Sequence, residues 1–268
     1  MELRNKNIVL TGANGGIGQA LALRLAAAGA CVWLVGRSQS ELETLRHRMQ
    51  DPERHTVFAL FDYSDEEILA LSRCFQAERR IDVLINNAGT SRFARLVQQS
   101  PADIREQLRI NVEIPMILTS TLLPSFNAGA IILNVGSILG ELGHPGYSVY
   151  SASKAALYRF SEALGRELGA SGIKVLYAAP RSAKTSLNSS AVNAMNAALG
   201  NKSDSPDEVA RFITESLTQE RLRARIGRME RIFVFINAVF PTLVDRALIK
   251  KLPVINRFLQ SDASVEMK

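Results

Sequence analysis

Short apolar runs alternate with amphipathic segments along most of the chain. Each run is five to seven residues long, rich in β-branched side chains and bounded by Gly, Pro, Asn or Asp, as expected for buried strands. The clearest runs are 7–11, 31–35, 56–61, 81–85, 130–135 and 173–179, and a further candidate is 222–226. This pattern predicts an α/β fold, with a doubly wound parallel sheet of six to seven strands and helices on both faces.

The segments between these runs carry the start and stop signals of helices. The first helical pattern stops at Gly29, and Ser64 precedes three acidic residues, as expected of an N-cap. Pro101 and Pro206 stand where the first residue of a helix is expected, because the fixed φ of proline suits that position. A long helix is predicted over residues 150–168.

Two uncharged stretches raise the question of a membrane segment. Residues 114–140 are long enough to span a bilayer, but Pro124, Asn127 and Gly129 interrupt them, so they predict a buried helix, a turn and a buried strand. The thirteen residues from Ile232 to Val244 are too few to span a bilayer as a helix. Because basic residues flank this run and Pro241 breaks it, it predicts a pair of amphipathic helices.

Such a helix pair has several uses. It can lie in an anionic membrane surface, cover a lipid-like substrate pocket, pack at a subunit interface, or pack against its own domain. We expect residues 1–226 to form one domain, and residues 227–268 to be a basic, amphipathic helical extension of that domain.

The formal net charge of +6 is concentrated at the C-terminal end. Residues 220–268 hold ten basic and five acidic side chains, so they account for +5 of it. The body of the chain is nearly neutral, which argues against a nucleic-acid partner. Two cysteines and three histidines without ligand spacing predict neither a disulfide framework nor a metal site. The N-terminus passes directly into a strand, so we expect no signal peptide and a cytoplasmic protein.

A glycine cluster, Gly12-Ala-Asn-Gly-Gly-Ile-Gly18, lies between the first strand and the first helix. In this context glycines let the backbone approach a pyrophosphate, and the helix N-terminus offers amides to it; a purely structural turn is the alternative. The second strand ends in Gly36-Arg37 with no acid. An arginine there favours the 2′-phosphate of NADP(H) over the free hydroxyl of NAD(H), unless it is only a solvated charge.

Tyr150 and Lys154 are four residues apart, so they share one face of the predicted helix. A neighbouring ammonium stabilises the phenolate and lowers the pKa of the tyrosine, which then exchanges a proton with a carbonyl or alcohol oxygen. The spacing alone is weak evidence and favours a half-exposed helix face.

Several motifs, taken in order over about residues 7–185, resemble those of the short-chain dehydrogenase/reductase family. The glycine cluster resembles its cofactor motif, and Asn86-Asn-Ala-Gly89 its sheet-stabilising motif. The residues that fall where the family keeps its catalytic tetrad are Asn111, Ser137, Tyr150 and Lys154. The resemblance implies a Rossmann-type fold. The cofactor-binding residues indicated are Gly12, Asn14, Gly15, Gly16, Ile17, Gly18, Arg37, Asp62, Asn87, Ala88, Gly89, Tyr150, Lys154, Pro180 and Thr185.

The resemblance also implies a role for each group. Tyr150 is the general acid of reduction and the base of oxidation, Ser137 holds the substrate oxygen, and Lys154 lowers the tyrosine pKa and binds the nicotinamide ribose. Asn111 positions a water for proton relay, and Asp62 hydrogen-bonds the adenine. Tyr147 is expected to form part of the substrate wall.

Two features depart from the family pattern. Arg181 replaces the usual glycine after Pro180, and it either faces an acidic group of substrate or cofactor or points to solvent. No Asp-Gly-Gly turn follows residues 222–226; the basic helical extension takes its place. The loop over about 182–205 is expected to be a mobile substrate lid.

These observations predict an oxidoreductase that transfers hydride between NADP(H) and a carbonyl or alcohol, with an apolar or lipid-like ketone or aldehyde as substrate. The alternatives are an NAD(H)-dependent alcohol dehydrogenase and a non-catalytic NADP(H)-binding sensor or scaffold. A homo-oligomer, dimer or tetramer, is expected, with peripheral membrane contact through the C-terminal segment as an open alternative.

Overall fold

The computed structural model describes residues 1–75, 80–185 and 187–265. Its centre is a parallel sheet of seven strands. The strands are β1 (Asn7–Thr11), β2 (Cys31–Gly36), β3 (Thr56–Ala59), β4 (Ile81–Asn86), β5 (Phe126–Val135), β6 (Lys174–Ala179) and β7 (Arg223–Arg225). Their order across the sheet is β3-β2-β1-β4-β5-β6-β7, and every pairing is parallel. The prediction of a doubly wound parallel sheet is confirmed.

Helices cover both faces of the sheet. They are α1 (Gly16–Ala27), α2 (Gln39–His47), α3 (Asp65–Arg73), α4 (Pro101–Leu108), α5 (Ile114–Leu122), α6 (Ser148–Glu167), α7 (Ser190–Ala198), α8 (Pro206–Thr218), α9 (Arg228–Val239) and α10 (Pro241–Val265). One face packs against α1, α2 and α8, and the other against α3, α5 and α6. The central strands are mostly apolar because both of their faces are buried.

The predicted caps form as expected. Ser64 and Ser205 each accept a hydrogen bond from the backbone three residues on, and Glu67 and Glu208 complete the two capping boxes. Pro101 and Pro206 are the first residues of α4 and α8.

Some boundaries differ from the predictions. The second helix, α2, ends at His47, and Met49 beyond it is buried in the core. The third strand stops at Ala59, and Phe61 beyond it is 60% exposed. The expected lid over 182–205 is not all loop, since it contains the nine-residue helix α7.

The C-terminal extension forms the predicted helix pair. The break lies at Pro241, and α10 continues past Pro253 to residue 265. The last three residues of the extension, 266–268, lie outside the described residues.

Strand order reverses between β1 and β4, which are neighbours in the sheet although two strands separate them in sequence. In open α/β sheets, ligands bind beyond the carboxyl ends of the strands at such a switch point. Here that position is occupied by the glycine cluster after β1 and by Asn87 to Gly89 after β4.

Candidate active site

The glycine cluster forms a tight turn that only glycine permits. Gly12 has a φ of +63°, and a Cβ there would lie 2.7 Å from Cα of Ala88. A Cβ on Gly18 would overlap the carbonyl oxygen of Gly12. Gly15 is the N-cap of α1 and offers no side-chain cap, and the first turn contains no acid. The amides at this helix end are therefore suited to an anionic pyrophosphate.

Asn87 and Thr11 tie the two halves of the switch point together. The Asn87 side-chain amide donates to the carbonyl oxygens of Thr11 (3.0 Å) and Gly12 (3.3 Å). The hydroxyl of Thr11 accepts hydrogen bonds from the backbone N–H groups of Asn87 and Ala88, both at 3.0 Å. These contacts fix the spacing between the glycine turn and the end of β4.

Arg37 follows β2 and is exposed. It lies near Tyr63: burial raises the pKa of Tyr63 to about 12, and the positive charge of Arg37 opposes that rise. Asp62, the residue predicted at the adenine, is also exposed, beyond the end of β3. Both therefore lie at the carboxyl edge of the sheet with room for a ligand.

Glu41 is a neighbour of this region that the sequence reasoning missed. A Cβ on Gly36 would lie 2.5 Å from Oδ1 of Asn14, so the Asn14 side chain covers the end of β2. The Asn14 amide donates to Oε2 of Glu41 at 2.7 Å. A carboxylate thus stands beside the position at which the ribose of a dinucleotide is expected.

Ser137 directly follows the Val135-Gly136 end of β5 and is 8% exposed. Its hydroxyl accepts a hydrogen bond from the backbone of Leu139 (3.1 Å) and lies beside the phenol of Tyr150, where it favours the ionised form of the phenol. Serine and tyrosine therefore meet at the carboxyl edge of the sheet, where a substrate oxygen can contact both.

Lys154 is buried one helical turn after Tyr150. Its Nζ donates to the carbonyl oxygen of Val135 at 3.0 Å and lies 5.9 Å from the centre of the Tyr150 ring. Burial lowers the pKa of Lys154 to about 8. Burial also raises the pKa of Tyr150, and the nearby Ser137 hydroxyl only partly opposes this.

The role predicted for Lys154, to lower the pKa of Tyr150, stays a prediction. Desolvation is the largest influence on the phenol and raises its pKa, and the ammonium donates its hydrogen bond to Val135. The phenol keeps its proton at neutral pH, as a general acid requires.

Asn111 is fully buried in a π-helical turn, Arg109–Glu113, between α4 and α5. Such turns are frequent at functional sites. Its side-chain amide donates to the carbonyl of Thr90 (2.8 Å) and the hydroxyl of Ser153 (3.0 Å), while its Oδ1 accepts from the Thr90 N–H (2.9 Å). The side chain is fully engaged, so its part in a proton relay stays a prediction.

Asn111, the fourth member of the predicted tetrad, lies near Lys154, and both are beside Gly89. A Cβ at this position would lie 3.1 Å from Oδ1 of Asn111 and 3.4 Å from Nζ of Lys154. The structure thus gathers all four predicted residues around the ends of β4 and β5.

An apolar cluster lies on the open side of Tyr150. Its members come from the β4–α4 and β5–α6 connections, α7 and α10; they are Phe93, Tyr147, Val192, Met195, Ile255 and Leu259. The ring of Tyr147 is 5.9 Å from that of Tyr150, as expected of a substrate wall. The contribution of α10 carries no sequence signal beyond its apolar periodicity.

Arg181 does not point to solvent, so that expectation is wrong, and its guanidinium is held by carboxylates of the chain itself. Its guanidinium forms two hydrogen bonds to Asp204, at 2.9 and 2.7 Å, and a third to Glu230 at 2.8 Å. Asp204 is 2% exposed. Arginine therefore replaces glycine at this turn because it joins the end of β6, the end of the lid and α9.

Pro180 and Thr185, the two other predicted residues of this turn, lie near the turn after Ser137 and near the glycine cluster, respectively. The carbonyl of Pro180 accepts from the N–H of Ile138 at 3.1 Å, and so supports the turn after Ser137. The methyl group of Thr185 would lie 3.0 Å from a Cβ on Gly16. Ile17 packs into the core beneath the same turn.

Comparisons with known proteins agree with this arrangement. Residues 6–196 match the family described as short chain dehydrogenase. The uncharacterized oxidoreductase YusZ of Bacillus subtilis (strain 168) is 32% identical over 92% of this chain and 98% of its own length. Ketoacyl reductase HetN of Nostoc sp. (strain PCC 7120) is 31% identical over 91% and 88%.

Among solved structures, a short-chain dehydrogenase from Sphingobium yanoikuyae in complex with NADPH is 25% identical. Its TM-score is 0.74, and the match covers 90% of this chain and 96% of that chain.

Proposed function

The chain belongs to the short-chain dehydrogenase family of oxidoreductases, and from that premise we propose that it is an NADPH-dependent reductase of apolar ketones or aldehydes. The observation that carries the proposal is the position of the Ser137 hydroxyl beside the phenol of Tyr150, next to a buried Lys154 and an apolar wall.

The cofactor would be held by residues that already fit it. The glycine turn leaves space and amides for a pyrophosphate, and a Cβ at Gly12 or Gly18 would fill that space. Asn87 to Gly89, Lys154 and Thr185 line the continuation of the cleft toward Tyr150. When bound, the nicotinamide supplies the hydride.

The residues of the chain supply the proton and the orientation. The hydroxyls of Ser137 and Tyr150 hold the carbonyl oxygen, where negative charge develops. Tyr150 Oη gives its proton to that oxygen, and its raised pKa keeps the proton in place until then. Lys154 remains largely protonated at neutral pH with a pKa of about 8, so its charge favours the phenolate left behind.

An apolar substrate is favoured by the character of the pocket. Phe93, Val192, Met195, Ile255 and Leu259 offer no hydrogen bond to a substrate. The likeness to HetN, a ketoacyl reductase, supports the same class, since an acyl chain is apolar. We therefore place acyl- or lipid-like carbonyls ahead of small charged ones.

Turnover of a carbonyl panel tests the reaction. Purified protein is given NADPH with medium-chain ketones, aldehydes and β-ketoacyl thioesters, and NADPH oxidation is followed by absorbance. Tyr150→Phe should lower kcat by about 10²- to 10⁴-fold, the usual contribution of a general acid. Tyr158→Phe, which changes another tyrosine of α6, is the matched control and should keep its rate.

Retained turnover in Tyr150→Phe would contradict the mechanism. NADPH binding with no carbonyl reduced by the wild-type protein would instead favour the sensor or scaffold alternative.

The proposed preference for NADPH rests on Arg37. One observation, the position of Glu41, supports NADH as the alternative cofactor. Arg37 supplies a cation for a 2′-phosphate, whereas Glu41, held by Asn14, supplies an acceptor suited to a free 2′-hydroxyl. Arg37→Ala should lower the NADPH-to-NADH ratio of kcat/KM by about 10- to 100-fold, the value of a charged hydrogen bond. Glu41→Gln should raise that ratio. Equal use of both cofactors, unchanged by Arg37→Ala, would favour the NAD(H)-dependent alternative.

Assembly and location stay predictions. We expect a homo-oligomer, dimer or tetramer, and sedimentation equilibrium measures its size. A cytoplasmic location is tested by fractionation of cells that express the tagged full chain.

A further inference from the structure

The helix pair α9 and α10 exposes an unusual amount of apolar surface. Of the fifteen large apolar side chains exposed in the described part of the chain, seven lie between residues 229 and 243. We call these seven the tail patch: Met229, Ile232, Phe233, Phe235, Val239, Phe240 and Leu243. Their exposed fractions range from 46% for Phe233 to 66% for Phe235. A contiguous patch of this kind marks a surface that meets a partner.

The patch lies on one face of α9 because the other face is held by the domain. Glu230, Val234 and Asn237 follow at helical spacing and point inward. Glu230 pairs with Arg181, Val234 packs beside Tyr177, and Asn237 donates to the carbonyl of Glu141 at 3.1 Å. The outward face carries Ile232, Phe235 and Val239, at the complementary spacing.

The patch continues around the bend into α10. Phe240 and Leu243, at the turn between the helices, are 56% and 54% exposed. Beyond them α10 is anchored by Val244, Ile255 and Leu259, all buried. The two helices therefore form an anchored elbow that presents apolar side chains outward.

Basic residues border the elbow. Arg228 and Arg231 lie at the start of α9. On α10 the basic residues Arg246, Lys250 and Arg257 recur at spacings of four and seven, opposite the buried face. Among the described residues, no carboxylate forms an ion pair with any of these five.

We propose that this elbow docks on the surface of an anionic lipid bilayer, with the tail patch in the interfacial region and the five basic residues against the headgroups. The geometry favours lying on the surface over crossing it. Within the described residues no single helix is long and apolar enough to cross a membrane, and α9 and α10, which have that composition together, are bent by 118°.

A second copy of the chain fits the elbow less well than a membrane does. A two-fold interface places the same patch on both sides. Five unpaired cations would then approach five others, which disfavours the contact. An anionic bilayer instead complements both the apolar and the basic residues.

Vesicle binding of the full chain tests the proposal. The probe is phosphatidylcholine vesicles with and without phosphatidylglycerol, separated by flotation at low and high salt. We expect binding that requires phosphatidylglycerol and weakens with salt. The triple variant Arg246→Gln, Lys250→Gln, Arg257→Gln should lose roughly fivefold in partition coefficient per charge, or roughly 100-fold together.

A matched control removes three basic residues from other faces of the protein. Arg73→Gln, Arg105→Gln, Arg211→Gln changes the net charge equally and should keep vesicle binding within about threefold. Phe235→Gln, Phe240→Gln tests the apolar contribution and should also weaken binding. NADPH binding, followed by its fluorescence, confirms that each variant is folded and is not expected to change.

Three outcomes would overturn the proposal. They are no flotation with anionic vesicles at low salt, equal losses in the triple variant and its control, and a dimer that Phe235→Gln, Phe240→Gln dissociates. None of them bears on carbonyl reduction, which the Tyr150 experiment tests separately.

Discussion

Tyr177 controls the backbone of Ser137 from inside the protein. It is 2% exposed, and its hydroxyl accepts from the N–H of Ser137 (3.2 Å) and donates to the Ser137 carbonyl (3.3 Å). Gly136 makes room for it, because a Cβ there would overlap the tyrosine ring. Burial raises the pKa of Tyr177, so its hydroxyl stays neutral and able to donate. We therefore regard Tyr177 as a positioning residue for Ser137.

Tyr177→Phe tests this role. The ring remains, but the buried N–H of Ser137 loses its partner, so the serine hydroxyl becomes less well aligned. We expect kcat to fall by about tenfold, since a small misplacement of a catalytic group is costly, while KM for NADPH stays unchanged. Tyr158→Phe is the control, because its ring packs on that of Tyr177 at 4.9 Å without touching Ser137. An equal loss in both variants would indicate general damage to the cluster.

Lys154 links the site to stability through its pKa of about 8, lowered by burial from 10.5. Between these two values the unfolded chain binds a proton that the folded chain does not, so stability rises with pH across this window. Below pH 8 both states are protonated, and the full cost of the buried charge, at most about 3 kcal/mol, applies.

Lys154→Met should therefore raise the free energy of unfolding at pH 7 by about 2 kcal/mol, after the lost hydrogen bond to Val135 is subtracted. Its advantage over the wild type should shrink as pH rises toward 10, while turnover is abolished. Urea titrations at several pH values measure this, with the exposed Lys202→Met as control. A difference independent of pH would contradict the lowered pKa.

At the scale of elements, Arg181 joins three segments that are far apart in sequence: the end of β6, the end of the lid at Asp204, and α9 through Glu230. The lid end is held further by a bridge between Ala183 and Asp204. One side chain thus ties both the end of the lid and α9 to the end of β6.

Arg181→Met should strongly destabilise the protein because it leaves the carboxylate of Asp204 buried without its partner. We expect a loss of about 3–5 kcal/mol in the free energy of unfolding. Arg24→Met removes an equally bidentate contact, to Asp207 at 2.9 and 2.8 Å, but that pair is exposed and its loss should cost far less. Similar losses of unfolding free energy in the two variants would show that the buried contacts of Arg181 contribute no more to stability than an exposed ion pair.

Sequence periodicity was sufficient for the sheet, because strands such as β1 and β2 are mostly apolar runs. The strand–turn–helix context placed Gly12, and the resemblance to family motifs placed Asn87 and Ser137 at the carboxyl edge. Tyr177, Glu41 and the partners of Arg181 could not be placed in advance. Their roles depend on contacts between segments distant in sequence, and neither composition nor spacing encodes these.

At the scale of the whole molecule, the two sides of the site have different origins. The cofactor side is made by β1, β2, β4 and the turns after them. The apolar side is completed by α7 and by Ile255 and Leu259 of α10, from the extension beyond residue 226. The extension is therefore part of the site, and the elbow that we propose as a membrane contact belongs to the same two helices.

Ile255→Ala with Leu259→Ala tests whether the extension completes the site in the full chain. Both residues are buried, at 0% and 4% exposure, so truncation opens the apolar cluster beside Tyr150 to water and loosens the substrate. We expect kcat/KM for an apolar ketone to fall by at least about tenfold. The dissociation constant of NADPH should stay within about twofold, because the glycine turn and Arg37 lie on other elements.

Ile249→Ala, 61% exposed on the same helix, is the control and should leave both quantities unchanged. Because cavities of this kind destabilise by several kcal/mol, circular dichroism must first establish that the double variant is folded at the assay temperature. Unchanged turnover in a folded double variant would separate α10 from catalysis and leave the elbow as its only proposed role.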